Sequence, residues 1–183
     1  VRSAHARPVR LGIARDDPAE LRQRIANGLE ADVLCLSGGV SMGTSDFVPA
    51  VLTELGAAFH VRKMSIKPGR PTIFATLPQG TLVFALPGNP ASALVGFELL
   101  VRPALAALEG RASLIPPLVR ATLRGSLAAT GPRRSYWPAL ATVAADGEWQ
   151  AVPLSWGGSG DSFGLAVATA LIMRPPNAAA VAD

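Results

Sequence analysis

The chain is poor in cysteine, lysine and aromatic side chains, and each shortage closes off a class of explanation. One cysteine, Cys35, in 183 residues cannot make an internal disulfide, so the fold must rest on packing, which suits a reducing compartment. Aromatics make up 5% of the chain, too few to stack the bases of a nucleic acid. The pI of about 10.2 points toward nucleic acid at first sight. The charge is thinly spread, however: residues 1–110 carry 11 basic and 9 acidic groups, and residues 111–183 carry 6 and 4. With no dense basic run, no nucleic-acid partner is expected, and a mildly basic surface suits small anions instead. No apolar run reads as long enough to span a bilayer and no signal peptide is visible at Val1; no membrane partner is therefore expected, and a cytoplasmic location is. No residues have zinc-ligand spacing, and no nucleophile–histidine–acid set is apparent.

What is present is organised around Leu34-Cys35-Leu36-Ser37-Gly38-Gly39-Val40-Ser41-Met42-Gly43-Thr44-Ser45-Asp46. Val33 to Leu36 reads as a strand covered on both faces, with Cys35 as a small buried hydrophobe. Gly38, Gly39 and Gly43 permit backbone angles closed to other residues and let a ligand come close to the main chain. Ser45 or Asp46 can cap a helix with apolar Val48, Val51, Leu52 and Leu55, stopped by Gly56. A strand, a glycine turn and a helix start form an anion-binding corner; a tight turn and nothing more is the competing reading.

The rest of the first half alternates strand and helix. Val9 to Ala14 reads as a strand. Asp17-Pro18-Ala19-Glu20 announces a helix with an acidic cap, proline at its first position and glutamate at the third, and Leu21, Ile25 and Leu29 give its apolar stripe. Ala58 to Val61, Thr72 to Thr76 and Thr81 to Leu86 read as strands, the last two joined by a hairpin at Pro78-Gln79-Gly80. A helix from about Ala91 to Leu108 places Leu94, Phe97, Leu100, Val101, Leu105 and Leu108 inside and stops at Gly110. This alternation predicts an α/β fold with a mostly parallel sheet and helices on both faces. Loops at Ser37, Lys67 and Pro87 leave strand ends and are expected to share one rim. Ile115-Pro116-Pro117 marks the expected boundary between a domain at 1–114 and a small all-β, barrel-like domain at 115–183. In that second part Val119–Leu123, Tyr136–Val143, Trp149–Pro153 and Ala170–Met173 read as strands, with a hairpin turn at Asp146-Gly147. Trp137, Trp149 and Trp156 read as its core, and His60 as structural.

Three motifs carry a resemblance: Ser37-Gly38-Gly39-Val40-Ser41-Met42-Gly43 with Asp46; Lys63-Met64-Ser65-Ile66-Lys67-Pro68-Gly69-Arg70-Pro71; and Leu86-Pro87-Gly88-Asn89-Pro90-Ala91-Ser92-Ala93. Their order and spacing resemble the molybdopterin molybdenumtransferase family, which is similar to the E domain of gephyrin. The resemblance runs from about Pro8 to Met173 and implies a molybdopterin-binding-like domain without its first strand, followed by a C-terminal domain short of a strand. It implies a family fragment, with Thr44 where an acidic residue is usual.

The reaction that the resemblance implies takes adenylylated molybdopterin and molybdate, inserts the metal at the dithiolene and releases AMP, with Mg2+ or another divalent ion at the pyrophosphate. By the same resemblance Asp46, Asp16, Lys63 and Lys67 are catalytic candidates, Asp46 being also the candidate metal ligand. Ser37, Gly38, Gly39, Ser41, Gly43, Pro68, Gly69, Arg70, Pro87, Gly88, Asn89, Pro90 and Ser92 are substrate-binding candidates. Lys63 and Lys67 are the only lysines among 17 basic residues, which favours specific placement as point charges. Asp46 reads equally well as a helix cap, and Ser92 as a first-turn serine. Arg133-Arg134 and Gly157-Gly158-Ser159-Gly160-Asp161 also resemble family loops, though by themselves they read as a turn and a flexible connection. A homodimer is implied too. Rival readings are a gephyrin-type scaffold or an inactive fragment. A dehydrogenase-like nucleotide module ranks last, because no G-x-G-x-x-G opens a helix after the first strand.

Overall fold

The computed structural model describes residues 1–40, 46–114 and 117–182. Along the chain the elements are α1 (Pro18–Ala26), β1 (Val33–Ser37), α2 (Val48–Glu54), β2 (Ala58–Val61), β3 (Ile66–Lys67), β4 (Ile73–Thr76), β5 (Leu82–Leu86) and α3 (Pro90–Gly96). A π-helical segment (Phe97–Val101) leads into α4 (Arg102–Leu108), and then come β6 (Thr122–Leu123), β7 (Arg134–Val143), β8 (Trp149–Pro153), α5 (Ser162–Ala166) and β9 (Ala170–Arg174). The chain divides into two compact units: Val1–Met64 with Pro71–Gly88 and Gly96–Pro116, and Ser65–Arg70 with Asn89–Val95 and Pro117–Asp183. The division is not one cut along the sequence, because Ile66 and Lys67 pair as a parallel strand with Arg134 and Ser135 of β7.

In the first unit the sheet order is β1-β5-β4-β2. Only β1 and β5 run parallel; β5–β4 and β4–β2 are antiparallel. The sheet is therefore mixed, where a mostly parallel one was expected. The physical reason lies in the predicted hairpin: Leu77 N–H donates to Thr81 O at 3.0 Å and Gly80 N–H to Leu77 O at 2.8 Å, and a turn this short can only return the chain antiparallel. One face of the sheet, carrying Leu34, Val83, Ala85, Ile73 and Ala75, packs with Ile25 of α1 and Val48, Val51 and Leu52 of α2 into the hydrophobic core. The spacing of those helix residues is that of a single buried stripe.

Local signals in this unit are largely realised. Asp17 accepts a bond from Ala19 N–H at 2.8 Å, with Pro18 opening α1. Glu20 turns to Arg24 at 3.3 Å instead of back to the cap, and the Asp17 N–H goes to Arg15 O at 2.7 Å. The predicted strand at Val9–Ala14 does not form: Val9 and Ile13 are 65% and 87% exposed, and without a pairing partner among the described residues an extended segment has nowhere to place its backbone hydrogen bonds. Cys35 is not the buried hydrophobe that was expected. It lies on the exposed side of β1, since only one face of this strand is covered, yet the atoms crowding it push its thiol up to about 11.

The helical stretch Pro90–Leu108 is, by length and composition alone, long and apolar enough to cross a membrane, where no such run was expected. It carries the Glu98–Arg102 ion pair on its side, and that bond raises the Arg102 pKa. Pro103 lacks the N–H that an unbroken α-helical ladder needs, which accounts for the wider turn just before it. Ala91, Val95 and Val101 are its buried hydrophobic residues, while Leu94 and Leu108 are exposed, so the inward face differs from the predicted one. Gly110 ends the helix with a φ of 71°.

The second unit is built on β7, the ten-residue strand. Sheet order is β3-β7-β8-β6, with β9 also on β7. Ser135–Ala139 pair antiparallel with β9, and Ala139–Val143 antiparallel with β8. Asp146-Gly147 makes the predicted hairpin, with Ala144 N–H on Glu148 O at 2.9 Å and Gly147 at a φ of 87°. Residues 115–183 are not all-β, because α5 forms where Asp161 caps it. Trp137 stands edge-on to Trp156 at 5.2 Å and donates to Leu154 O at 2.9 Å. Trp149, at the hairpin end of β8, is exposed and does not join that core.

Candidate functional site

In the first unit the strand–glycine corner is present. Gly38 and Gly39 both take positive φ, 93° and 66°, which is where glycine is required. Gly38 N–H donates to Leu86 O at 3.0 Å, so the turn after β1 is tied to the end of its parallel neighbour β5. A Cβ at Gly88 would stand 3.6 Å from Gly38 Cα. The Ser37 loop and the Pro87-Gly88 turn thus leave neighbouring carboxyl ends, as two of the three expected rim loops. Ser37 and Gly88 are exposed and Pro87 is buried. Ser41 and Gly43, with Met42, Thr44 and Ser45, lie outside the described residues.

Asp46 is half-buried and is not the cap of α2. The cap position is Phe47, which makes no side-chain bond. Asp16 sits exposed in a bend before Asp17. Lys63 is exposed just past β2, while Arg62 lies over the Phe59 ring at 3.7 Å and is engaged in a cation–π contact. His60 bonds Thr76 Oγ1 at 2.9 Å and leans on Phe74.

The other candidates belong to the second unit. Lys67 closes β3 with an exposed side chain, Pro68 and Gly69 are buried, and Arg70 is exposed. Lys67–Pro68 is a cis peptide bond. Arg133, read as part of a turn, donates from Nη1 to Ile66 O at 3.1 Å and holds this segment. Gly69 has a φ of 106°; a Cβ there would be 3.6 Å from Ser92 O and 3.0 Å from Ile66 Cδ1. The Lys67 loop therefore runs against the first turn of α3, where Asn89 and Pro90 are exposed and Ser92 is 4% exposed.

A third loop, read from sequence as a flexible connection, arrives at the same place. Asn89 Nδ2 donates to Ser159 Oγ at 2.9 Å, and Ala91 N–H donates to Ser159 O at 3.3 Å. The sequence signal was its likeness to a family loop; Asp161 closes the loop by capping α5. Lys67, the Asn89–Ser92 turn and Ser159 together offer a cation, hydroxyls and amide donors, the groups that bind oxyanions.

A divalent ion fits this chain only in a restricted way. Among the described residues no three His, Cys, Asp or Glu side chains come together to hold a metal. Asp46 can add one carboxylate to an ion carried mainly by substrate phosphates, as Mg2+ commonly is.

Comparison with known proteins now bears on the geometry. The family described as "probable molybdopterin binding domain" matches residues 1–107, and the "MoeA C-terminal region (domain IV)" matches residues 120–183. A molybdopterin molybdenumtransferase of Nostoc sp. is 35% identical over 180 residues, covering 96% of this chain and 41% of that protein. One of Haemophilus influenzae is 43% identical over 108 residues, covering 58% of this chain and 26% of the relative. A molybdopterin biosynthesis MoeA protein of Pyrococcus horikoshii superposes with a TM-score of 0.74 at 32% identity, over 94% of this chain and 40% of that one. A molybdenum cofactor biosynthesis protein of Pyrococcus furiosus, at 21% identity and a TM-score of 0.69, shares the fold. The chain spans less than half the length of the curated relatives it matches.

Proposed function

The chain belongs to the family described as a probable molybdopterin binding domain, and from that premise we propose that it works in molybdenum cofactor biosynthesis as part of a molybdopterin molybdenumtransferase. The substrates are adenylylated molybdopterin and molybdate, and the products are AMP and the metal-loaded dithiolene. The observation that carries this reading is the meeting of the Lys67 loop, the Asn89–Ser92 turn and Ser159 in one unit, a donor set suited to a tetrahedral oxyanion.

The roles follow from chemistry. Ser37, Gly38 and Gly39, with Ser41 and Gly43, supply hydroxyl and amide donors to the phosphate or the pterin edge. Pro87 and Gly88 shape the neighbouring turn, and its small glycine admits a ligand to the main chain. Lys67 and Ser92 face molybdate, with Arg70 beside them and Pro68, Gly69 and Pro90 giving the loops their form. Lys63 offsets phosphate charge. Asp46 and Asp16 are the carboxylates assigned to water positioning, and Asp46 to the metal. A divalent ion, when bound, neutralises the pyrophosphate. A homodimer and a cytoplasmic location complete the reading.

Calorimetric titration of the chain with AMP and with molybdate, each with and without Mg2+, tests it. Saturable molybdate binding weakened about tenfold or more by Lys67→Ala, and AMP binding weakened by Asp46→Ala only when Mg2+ is present, are expected. A folded chain that binds neither ligand refutes the claim that these loops carry the site.

A further inference from the structure

Ser159 takes its place through bonds that converge on one neighbouring carboxylate. Asp161 Oδ2 accepts from Gly157 N–H at 3.0 Å and Oδ1 from Gly164 N–H at 2.9 Å. Its own N–H donates to Gly158 O at 3.0 Å, and Gly158 holds a φ of 105°. Both oxygens are thus occupied, one on each side of the loop, so the side chain closes Gly157–Gly160 into a ring in which Ser159 alone is not glycine. The seat is tight: a Cβ at Gly164 would stand 2.9 Å from Asp161 Oδ2 and 3.0 Å from Ser155 O, so no other residue fits there without moving the carboxylate.

The ring delivers two things to the start of α3. Ala91 is fully buried, and its N–H, in the first turn, has no acceptor within the helix; Ser159 O fills that need at 3.3 Å. The Ser159 hydroxyl accepts from Asn89 Nδ2 at 2.9 Å, and a hydroxyl that accepts in this way keeps its proton to donate. We propose that Asp161 is a positioning residue for oxyanion recognition: its carboxylate sets the loop so that the Ser159 hydroxyl, oriented by Asn89, donates to a molybdate oxygen. The identity of that oxyanion rests on the function proposed above; the placement of Ser159 by Asp161 does not.

The test uses the full chain and two readouts. Amide hydrogen exchange at Ala91 reports the bond to Ser159 without any ligand. Asp161→Ala is expected to speed it about tenfold, Asp161→Asn, which keeps one acceptor, by less, with Val83 and Ala85 of β5 unchanged. Titration with inorganic molybdate is the second readout. Ser159→Ala and Asp161→Ala are each expected to weaken binding about tenfold, and the double variant no more than Ser159→Ala alone, because Asp161 acts through that hydroxyl. A purely structural carboxylate would give additive losses, and additivity overturns the proposal. Unchanged Ala91 protection also overturns it, with Asp161→Asn deciding should Asp161→Ala fail to fold. A wild-type chain that takes up no molybdate overturns the transferase reading instead, and the Ala91 exchange still decides the place of Ser159.

Discussion

Gly39→Ala separates two contributions that a single glycine makes to the corner after β1. Gly39 has a φ of 66°, and a Cβ there would meet Val48 Cγ2 at 2.9 Å. Gly110 has nearly the same φ, 71°, with no atom near its would-be Cβ. Both sit in the first unit, so both report on the same unfolding transition. The left-handed backbone costs an alanine about 1 kcal/mol at either position. Val48 is 4% exposed in the core and starts α2; its β-branched side chain has one comfortable rotamer in a helix and cannot swing aside. Forcing a methyl group against it adds about 1–3 kcal/mol of overpacking. Gly110→Ala is therefore expected to lose about 1 kcal/mol and Gly39→Ala about 2–4 kcal/mol in urea unfolding, read as a shift in midpoint at constant slope. Equal losses within about 0.5 kcal/mol would refute the argument that packing against α2, beyond backbone geometry, requires glycine at 39.

The remaining predictions concern other groups. Cys35, with its thiol pushed up to about 11, is expected to alkylate slowly near pH 8 and to reach its half-maximal rate near pH 11. Its folded pKa lies above the unfolded one, so the stability it contributes is complete below about pH 8.5 and lost as pH rises through 11. A half-maximal rate near pH 8.5 would show an uncrowded thiol. Arg174 is 8% exposed and donates to Ala128 O and Ala179 O. Arg174→Ala strips two carbonyls of their donors and is expected to cost about 2–4 kcal/mol, with faster proteolysis at Asn177–Ala182; an unchanged cleavage pattern would count against that tie. Ser92→Ala removes the hydroxyl of a nearly buried serine whose carbonyl oxygen lies against the Lys67 loop and is expected to weaken molybdate binding with the unfolding midpoint little changed. Loss of stability without loss of binding would make Ser92 a packing residue.

Much of this protein could be read locally. The cap at Asp17, the hairpins at Pro78–Gly80 and Asp146–Gly147, and the stop at Gly110 depend on a few adjacent residues, and they formed where the residues implied. The three motifs at Ser37, Lys67 and Pro87 sufficed to identify the family. The readings that failed rested on patterns without partners. Val9–Ala14 alternates like a strand but pairs with nothing described, and Val33–Leu36 is apolar throughout although Cys35 lies on an exposed side. The run at Ala91–Leu108 was helical as read, but Leu94 and Leu108 are exposed and do not face inward.

By itself the sequence determined turn positions, the Asp17 cap and the identity of the chemistry-bearing loops, because steric limits on glycine and proline and short-range hydrogen bonds act within four or five residues. Tertiary structure alone decided that the sheet is mixed, that Ser65–Arg70 counts with the second unit, and that Ser159 meets Asn89 across 70 residues of chain. Such pairings depend on which distant segments bury one another and satisfy each other's backbone groups, and no local pattern carries that information. The donor set around Ser92 exists only because β3 found an edge on β7 and Asp161 closed its loop.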